Sequence, residues 1–155
     1  MTKGRLGPRR RGLVLLAAAA ALVSTARVYA QAKAPALTAA EARAVRGVID
    51  AQLAAFAAGD AERTFSYAST GIRSQFGNAA RFMAMVQGSY PMVVRPAAVS
   101  YLQPQMSDGR VLQMLQLRDG EGRSWVASYR LAWQAKAGWR IEACVVVADS
   151  GGAST

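Results

Sequence analysis

Histidine is absent from the 155 residues, and Cys144 is the one thiol. No imidazole is therefore at hand as a general base, as the middle member of a Ser-His-Asp triad or as a metal ligand. One thiol makes neither an intramolecular disulfide nor a multi-thiolate zinc site. What remains for chemistry is phenol, amide and carboxylate. Phenols and amides fixed in an apolar cavity orient small molecules, and Tyr67, Tyr101, Gln113 and Tyr129 are the candidates. The last three fall on the apolar face of strand-like segments, and Tyr67 approaches from a helix. Each tyrosine would serve equally as a core ring that satisfies its hydroxyl locally. An isomerase-like enzyme would need a carboxylate base facing the same cavity, with donors for a developing oxyanion. The acids suit that poorly: Asp50 lies off the apolar stripe of its helix, Asp108, Asp119 and Glu121 sit in turns, and Asp60 stands where a helix is capped. Glu142 alternates with the inward face, which sends it to solvent or to Arg140 or Arg130. Cys144 falls opposite Trp139 and Ile141, and reads as a small buried hydrophobe, or as a reactive thiol if one of those arginines lies beside it. Trp125, Trp133 and Trp139 read as sheet-packing residues before they read as a stacking platform. No catalytic residue, metal ligand or cofactor is assigned.

The elements that must position these groups emerge from periodicity. Thr38 with Glu41 forms a capping box, and Val45, Val48, Ile49, Gln52, Leu53 and Phe56 recur at helical spacing, one buried face of an amphipathic helix that should stop at Gly59. Asp60 reads as the N-cap of a second, shorter helix through about Tyr67 that buries Phe65. Asn78 caps a third, in which Phe82, Met85 and Val86 share a face, closed by Gly88 and Pro91. From Pro96 the period becomes two. Val99 and Tyr101 alternate, Pro104 and Ser107-Asp108-Gly109 turn the chain, and Val111, Gln113, Leu115 and Leu117 form a strand face. Asp119-Gly120-Glu121-Gly122 is a hairpin signal. Trp125, Ala127, Tyr129, Leu131 and Trp133 line one face of the next strand, and after Lys136-Ala137-Gly138 come Trp139, Ile141, Ala143 and Val145. Helices succeeded by four antiparallel strands joined by short turns predict an α+β domain over residues 38–148, with the helices on one face of a curved four-stranded or larger sheet.

The amino terminus reads as an export signal. Lys3, Arg5, Arg9, Arg10 and Arg11 precede an apolar run of 11 residues, Leu13 to Val23, and Val28-Tyr29-Ala30 offers a cleavage site after Ala30, with Ala32 as the alternative. That run is short of the ~20 residues a spanning helix needs. Residues 1–30 are thus a signal peptide, 31–37 a linker carrying Pro35, and 149–155 a flexible tail. Arg10-Arg11-Gly12-Leu13-Val14 fits a loose twin-arginine pattern, which leaves open whether export is twin-arginine or general secretory. The mature protein is expected in the periplasm or outside the cell, with no membrane anchor. The six basic residues before position 31 account for most of the formal charge of +10. Residues 31–155 carry 13 basic and 9 acidic groups, a net +4, with the arginines spread singly. That is no nucleic-acid surface, which would need a clustered basic face with aromatics.

Several linked segments resemble the bacterial domain of unknown function 4864 family: Ile49-Asp50-Ala51-Gln52-Leu53-Ala54-Ala55-Phe56, Gly59-Asp60, Phe65-Ser66-Tyr67-Ala68-Ser69, Phe82-Met83-Ala84-Met85-Val86, Arg95-Pro96, and Gly138-Trp139-Arg140-Ile141-Glu142-Ala143-Cys144. Ala143 stands where the family pattern has Gly. The family in turn resembles the nuclear transport factor 2-like superfamily, which includes enzymes of the ketosteroid isomerase type. The resemblance implies a cone, an antiparallel sheet wrapped round a long helix with a pocket inside. It bears on fold more than on function, because function resides in sites. The expectation is a non-enzymatic domain that binds a small apolar or amphipathic molecule or a protein partner. The alternatives are a cofactor-free isomerase or lyase, and a homodimerisation domain that uses Leu112, Met114 and Val126 on the open sheet face.

Overall fold

The computed structural model describes residues 36–151, so the predicted signal peptide, its cleavage site at Ala30, most of the linker and the end of the tail lie outside the described residues. Five helices come first: α1 (Ala39–Ala58), α2 (Ala61–Ser66), α3 (Thr70–Phe76), α4 (Ala79–Ser89) and α5 (Pro91–Val94). The capping box at the start of α1 is complete. Thr38 Oγ1 accepts from Glu41 N–H at 3.2 Å and the Glu41 carboxylate accepts from Thr38 N–H at 2.8 Å; the Thr38 hydroxyl, which donates to the same carboxylate at 2.6 Å, and then that backbone N–H lower the Glu41 pKa. Gly59 ends α1 at φ 70°, in the left-handed region that suits glycine. The Asp60 carboxylate then accepts from Arg63 N–H at 3.0 Å and Asn78 Oδ1 from Arg81 N–H at 2.9 Å, so both act as N-caps.

Two short helices depart from the expectation. Ser69 caps α3 by accepting from Ile72 N–H at 3.3 Å. Pro91, expected to close α4, instead occupies the first turn of α5, where a missing N–H leaves no bond unmade. The Gly88 stop fails as well, since α4 runs on through it to Ser89.

The strands are β1 (Ala98–Tyr101), β2 (Gln105–Ser107), β3 (Arg110–Arg118), β4 (Ser124–Gln134) and β5 (Gly138–Ala148), all antiparallel, in the order β1-β3-β4-β5. Both β1 and β2 lie along the outer edge of β3, β1 against Leu115–Arg118 and β2 against Arg110–Leu112. The fold is therefore α+β as expected, but the segment read as a plain turn contains a fifth strand. Asp108 (φ 51°) and Gly109 (φ 71°) form a tight two-residue hairpin there, the geometry that matches strand twist.

The apolar stripe of α1 (Val45, Ile49, Leu53, Phe56) is buried against Val111, Leu115 and Leu117 of β3, Ala127, Tyr129 and Leu131 of β4, and Trp139 and Ile141 of β5. Phe56, Phe65 and Phe76 gather round Phe82 with centroids 6.2, 5.5 and 5.4 Å from it. Trp133, expected to pack inward, is 64% exposed, its ring edge-on to that of Trp139 with centroids 5.7 Å apart.

One irregularity decides which side chains face the helices. Leu131 pairs with Ile141 and Arg130 with Ala143, so β5 carries one extra residue, Glu142, in a β-bulge. Beyond a one-residue bulge the alternation is offset. Ala143 and Val145 were expected inward with Trp139 and Ile141. Instead Cys144 pairs with Tyr129 and Val146 with Ala127 on the helix side, while Val145 and Val147 are exposed on the other. The expected placement of Cys144 opposite Ile141 is corrected for the same reason.

Candidate functional site

Between the helices and strands β4–β5 the packing leaves a cavity of about 340 Å³. Gln52 and Phe56 reach it from α1, Ile72 and Phe76 from α3, Phe82, Met85 and Val86 from α4, and Tyr129, Ile141, Cys144 and Val146 from the sheet. Its volume falls at the small end of the ~300–1,000 Å³ usual for small-molecule sites, and its wall is apolar with a few polar groups, the usual composition. On the α1 stripe Gln52 takes the place of an aliphatic residue. Its Nε2 donates to Thr64 O at 3.3 Å, tying α1 to α2.

Tyr129 is 1% exposed and its hydroxyl has no hydrogen-bonding partner. Burial, then the neighbouring Cys144 thiol, raises its pKa well above the ordinary phenol value. Cys144 is half-buried beside it. Burial pushes its pKa up to about 12, with the Tyr129 hydroxyl acting in the opposite direction. Both groups therefore keep their protons at neutral pH. Thr64 Oγ1 is likewise buried without a partner, but it lies in α2 and off the cavity wall.

The four residues singled out in the sequence do not converge on this cavity. Tyr129 lines it. Tyr101 and Gln113 share a second, shallower cleft of about 200 Å³ with Arg43 and Arg46. There the Tyr101 hydroxyl donates to Asp50 Oδ1 while the Arg46 guanidinium lies 4.0 Å over the Tyr101 ring. Burial and then the Asp50 carboxylate raise the Tyr101 pKa. Gln113 Nε2 donates to Leu102 O at 2.7 Å and Met114 O at 3.0 Å, stapling the break between β1 and β2. Tyr67 lies with its hydroxyl beside Arg63, and its carbonyl accepts from Ile141 N–H at 2.9 Å.

Three wall residues carry signals of unequal strength. Gln52 was visible as a polar residue inside an apolar helical stripe. Ile72 belongs to a helix too short to show a period, and Cys144 turns inward only because of the bulge. Glu142 is at the wall too, but its carboxylate is engaged by Arg110 at 2.9 Å and Arg130 at 3.5 Å. Arg130 was one of its two expected partners, Arg110 was not, and the extra residue in β5 is what brings it within reach. A free carboxylate base in the cavity, which an isomerase of the expected type requires, is thus lacking among the described residues. Nor do the described residues contain a cluster of His, Cys, Asp or Glu able to hold a metal ion.

A family model described as a domain of unknown function (DUF4864) matches residues 38–154. No curated protein and no solved structure matches the chain.

Proposed function

The chain belongs to the DUF4864 family over residues 38–154, and on that footing we propose that it is an exported, non-enzymatic domain that binds a small apolar or amphipathic molecule between its helices and sheet. The observation that carries this reading is the 340 Å³ cavity walled by Phe56, Ile72, Phe82, Met85 and Val86. The cleft is partly open to solvent, and an apolar molecule seated in it would remove its apolar wall from water, the usual driving force at small-molecule sites. The element order, helices then a wide antiparallel sheet with a pocket between, is also what supports reading the fold as a nuclear transport factor 2-like cone. Export rests on the basic, apolar and small-residue order of residues 1–30.

One preparation tests the reading. Cells expressing the full chain should release protein whose intact mass corresponds to a start at Gln31, and that protein should saturate with the neutral fluorophore N-phenyl-1-naphthylamine at one per chain. Ile72→Trp, which fills the cavity from α3, should reduce the enhancement about tenfold or more. Unprocessed protein retained in the cytoplasm would refute export. Equal fluorophore binding by the Trp variant would refute the cavity as the site.

A second reading, homodimerisation through the open sheet face, is favoured by the exposure of Leu112 (37%), Val145 (59%) and Val147 (53%) on the side away from the helices.

A further inference from the structure

Resting on the binding reading above, we infer that the cavity favours a neutral apolar molecule bearing a hydroxyl, a phenol or an alcohol, whose O–H donates to the side-chain oxygen of Gln52. Gln52 interrupts the apolar stripe of α1, is 3% exposed and lines the cavity. The Thr64 carbonyl can only accept, so the Gln52 nitrogen must be the atom facing it at 3.3 Å, which fixes the orientation of the amide. That leaves the oxygen, to which no donor among the described residues bonds. The buried side-chain oxygens that are closed to solvent and lack a partner are those of Thr64 and Tyr129 alone. The Gln52 oxygen is not one of them, so it keeps accessible surface, and the space that Gln52 borders is the cavity. Water can give that oxygen its donor only while wetting the neighbouring wall of Phe56, Phe82 and Val86. A hydroxylated apolar molecule gives the donor and covers the wall together.

The other polar residues of the wall do not compete for the hydroxyl. Gln75 is exposed and Tyr90 half-buried, so both stand where water already serves them. The Glu142 carboxylate is drawn to Arg110 and Arg130. Gln52 is the polar wall residue that sits among buried ones, where a hydrogen bond is stronger than in water. Neutrality follows from the same wall. It contains no cation to receive a carboxylate or phosphate, and its one acid is already paired, so an ammonium group finds no free anion. Either charge would be desolvated without a partner, which is strongly unfavourable.

The test is a matched series of 4-propyltoluene, 4-propylphenol and 4-propylanisole, measured by displacement of N-phenyl-1-naphthylamine from wild-type protein and from Gln52→Met, each corrected for the fluorophore's own affinity. The ether keeps the phenol's oxygen and loses its proton. Met keeps the length and helix propensity of Gln and removes the amide. In the wild type the phenol should bind roughly tenfold tighter than its methyl ether, the span of one good hydrogen bond, although the ether is the more lipophilic of the two. Gln52→Met should bring the phenol below the ether and leave 4-propyltoluene bound as before. A wild-type order that follows lipophilicity, hydrocarbon first and phenol last, would overturn the hydrogen-bond assignment while leaving the cavity reading intact. So would a preference for the phenol that survives in Gln52→Met. The wild-type comparison decides the matter even where the Met variant fails to fold. Failure of 4-propyltoluene itself to displace the fluorophore would count against the cavity reading beneath it.

Discussion

The Asp119 carboxylate accepts four N–H donors: Glu121 N at 3.0 Å and Arg123 N at 2.9 Å on one oxygen, Arg123 Nε at 2.8 Å and Trp125 Nε1 at 3.0 Å on the other. It is the organiser of the β3–β4 loop, a role its position in an Asp-Gly-Glu-Gly turn did not disclose, because the donors come from residues two to six positions on. The Trp125 bond, then those from Arg123 and Glu121 against the opposing effect of burial, lowers its pKa to about 2. An unfolded aspartate titrates near ~3.9. The depressed value means that Asp119 stabilises the fold fully above about pH 4, and that this contribution is lost as pH falls from there through about 2. Asp119→Asn should therefore melt at lower temperature than wild type at pH 7, and the gap between the two should close as pH is brought from 5 to 2, read by circular dichroism. A constant gap across that range would contradict the role of the charge. At the same scale, Tyr129 was recognisable as a cavity residue from its place in an alternating strand. Tyr101 and Gln113 have the same alternation but serve local bonds to Asp50 and to the Leu102 carbonyl. Alternation tells which face a side chain takes, and says nothing of what waits for it there.

Element ends were legible where a side chain bonds to its own backbone. Thr38 with Glu41, Gly59, Asp60 and Asn78 all act as the local chemistry of caps requires. Asp60 is the case where capping and catalysis competed as readings of one carboxylate. As a cap, Asp60→Ala should cost about 1 kcal/mol in urea denaturation and Asp60→Asn much less, with no effect on fluorophore binding beyond that loss. What the sequence concealed is what tertiary contact decides. α3 and α5 have seven and four residues, too few for a period to emerge. β2 has three, and exists because the edge of β3 is there to receive it. The Glu142 bulge breaks a pattern that otherwise reads as uninterrupted alternation from Trp139 to Val145, and the ion pairs to Arg110 and Arg130 that accompany it join residues far apart in the chain. The result was a correct fold class with one end of its last strand turned the wrong way round.

For the molecule as a whole, the helices cover one face of the sheet and leave the other open. That face carries Leu112, Met114 and Val126, expected from the sequence, and Val145 and Val147, added by the bulge. Met114 and Val126 are half-buried among their neighbours, so the most prominent apolar groups are the two valines of β5. If two copies associate through this face, Val145→Lys should weaken the dimer by at least about a hundredfold in sedimentation equilibrium, since an unpaired charge would be desolvated at the contact, while fluorophore binding in the cavity on the opposite face stays intact. An unchanged association constant would place any dimer elsewhere. β5 also has an outer edge, and the α2–α3 junction covers part of it. Ser69 N–H donates to Ile141 O at 2.8 Å, and Ile141 N–H to Tyr67 O at 2.9 Å. Those two bonds plug the strand just before the bulge, and the bulge itself spoils the straight ladder that a foreign strand would need for pairing. Past it, Cys144–Ala148 presents a short valine-rich stretch beside no further strand among the described residues. Guarding against fibre growth therefore falls to the Tyr67–Ser69 segment. Any event that lifts it from Ile141 would uncover the first half of an edge whose second half is already bare, and would turn a folded domain into a template for its own polymerisation.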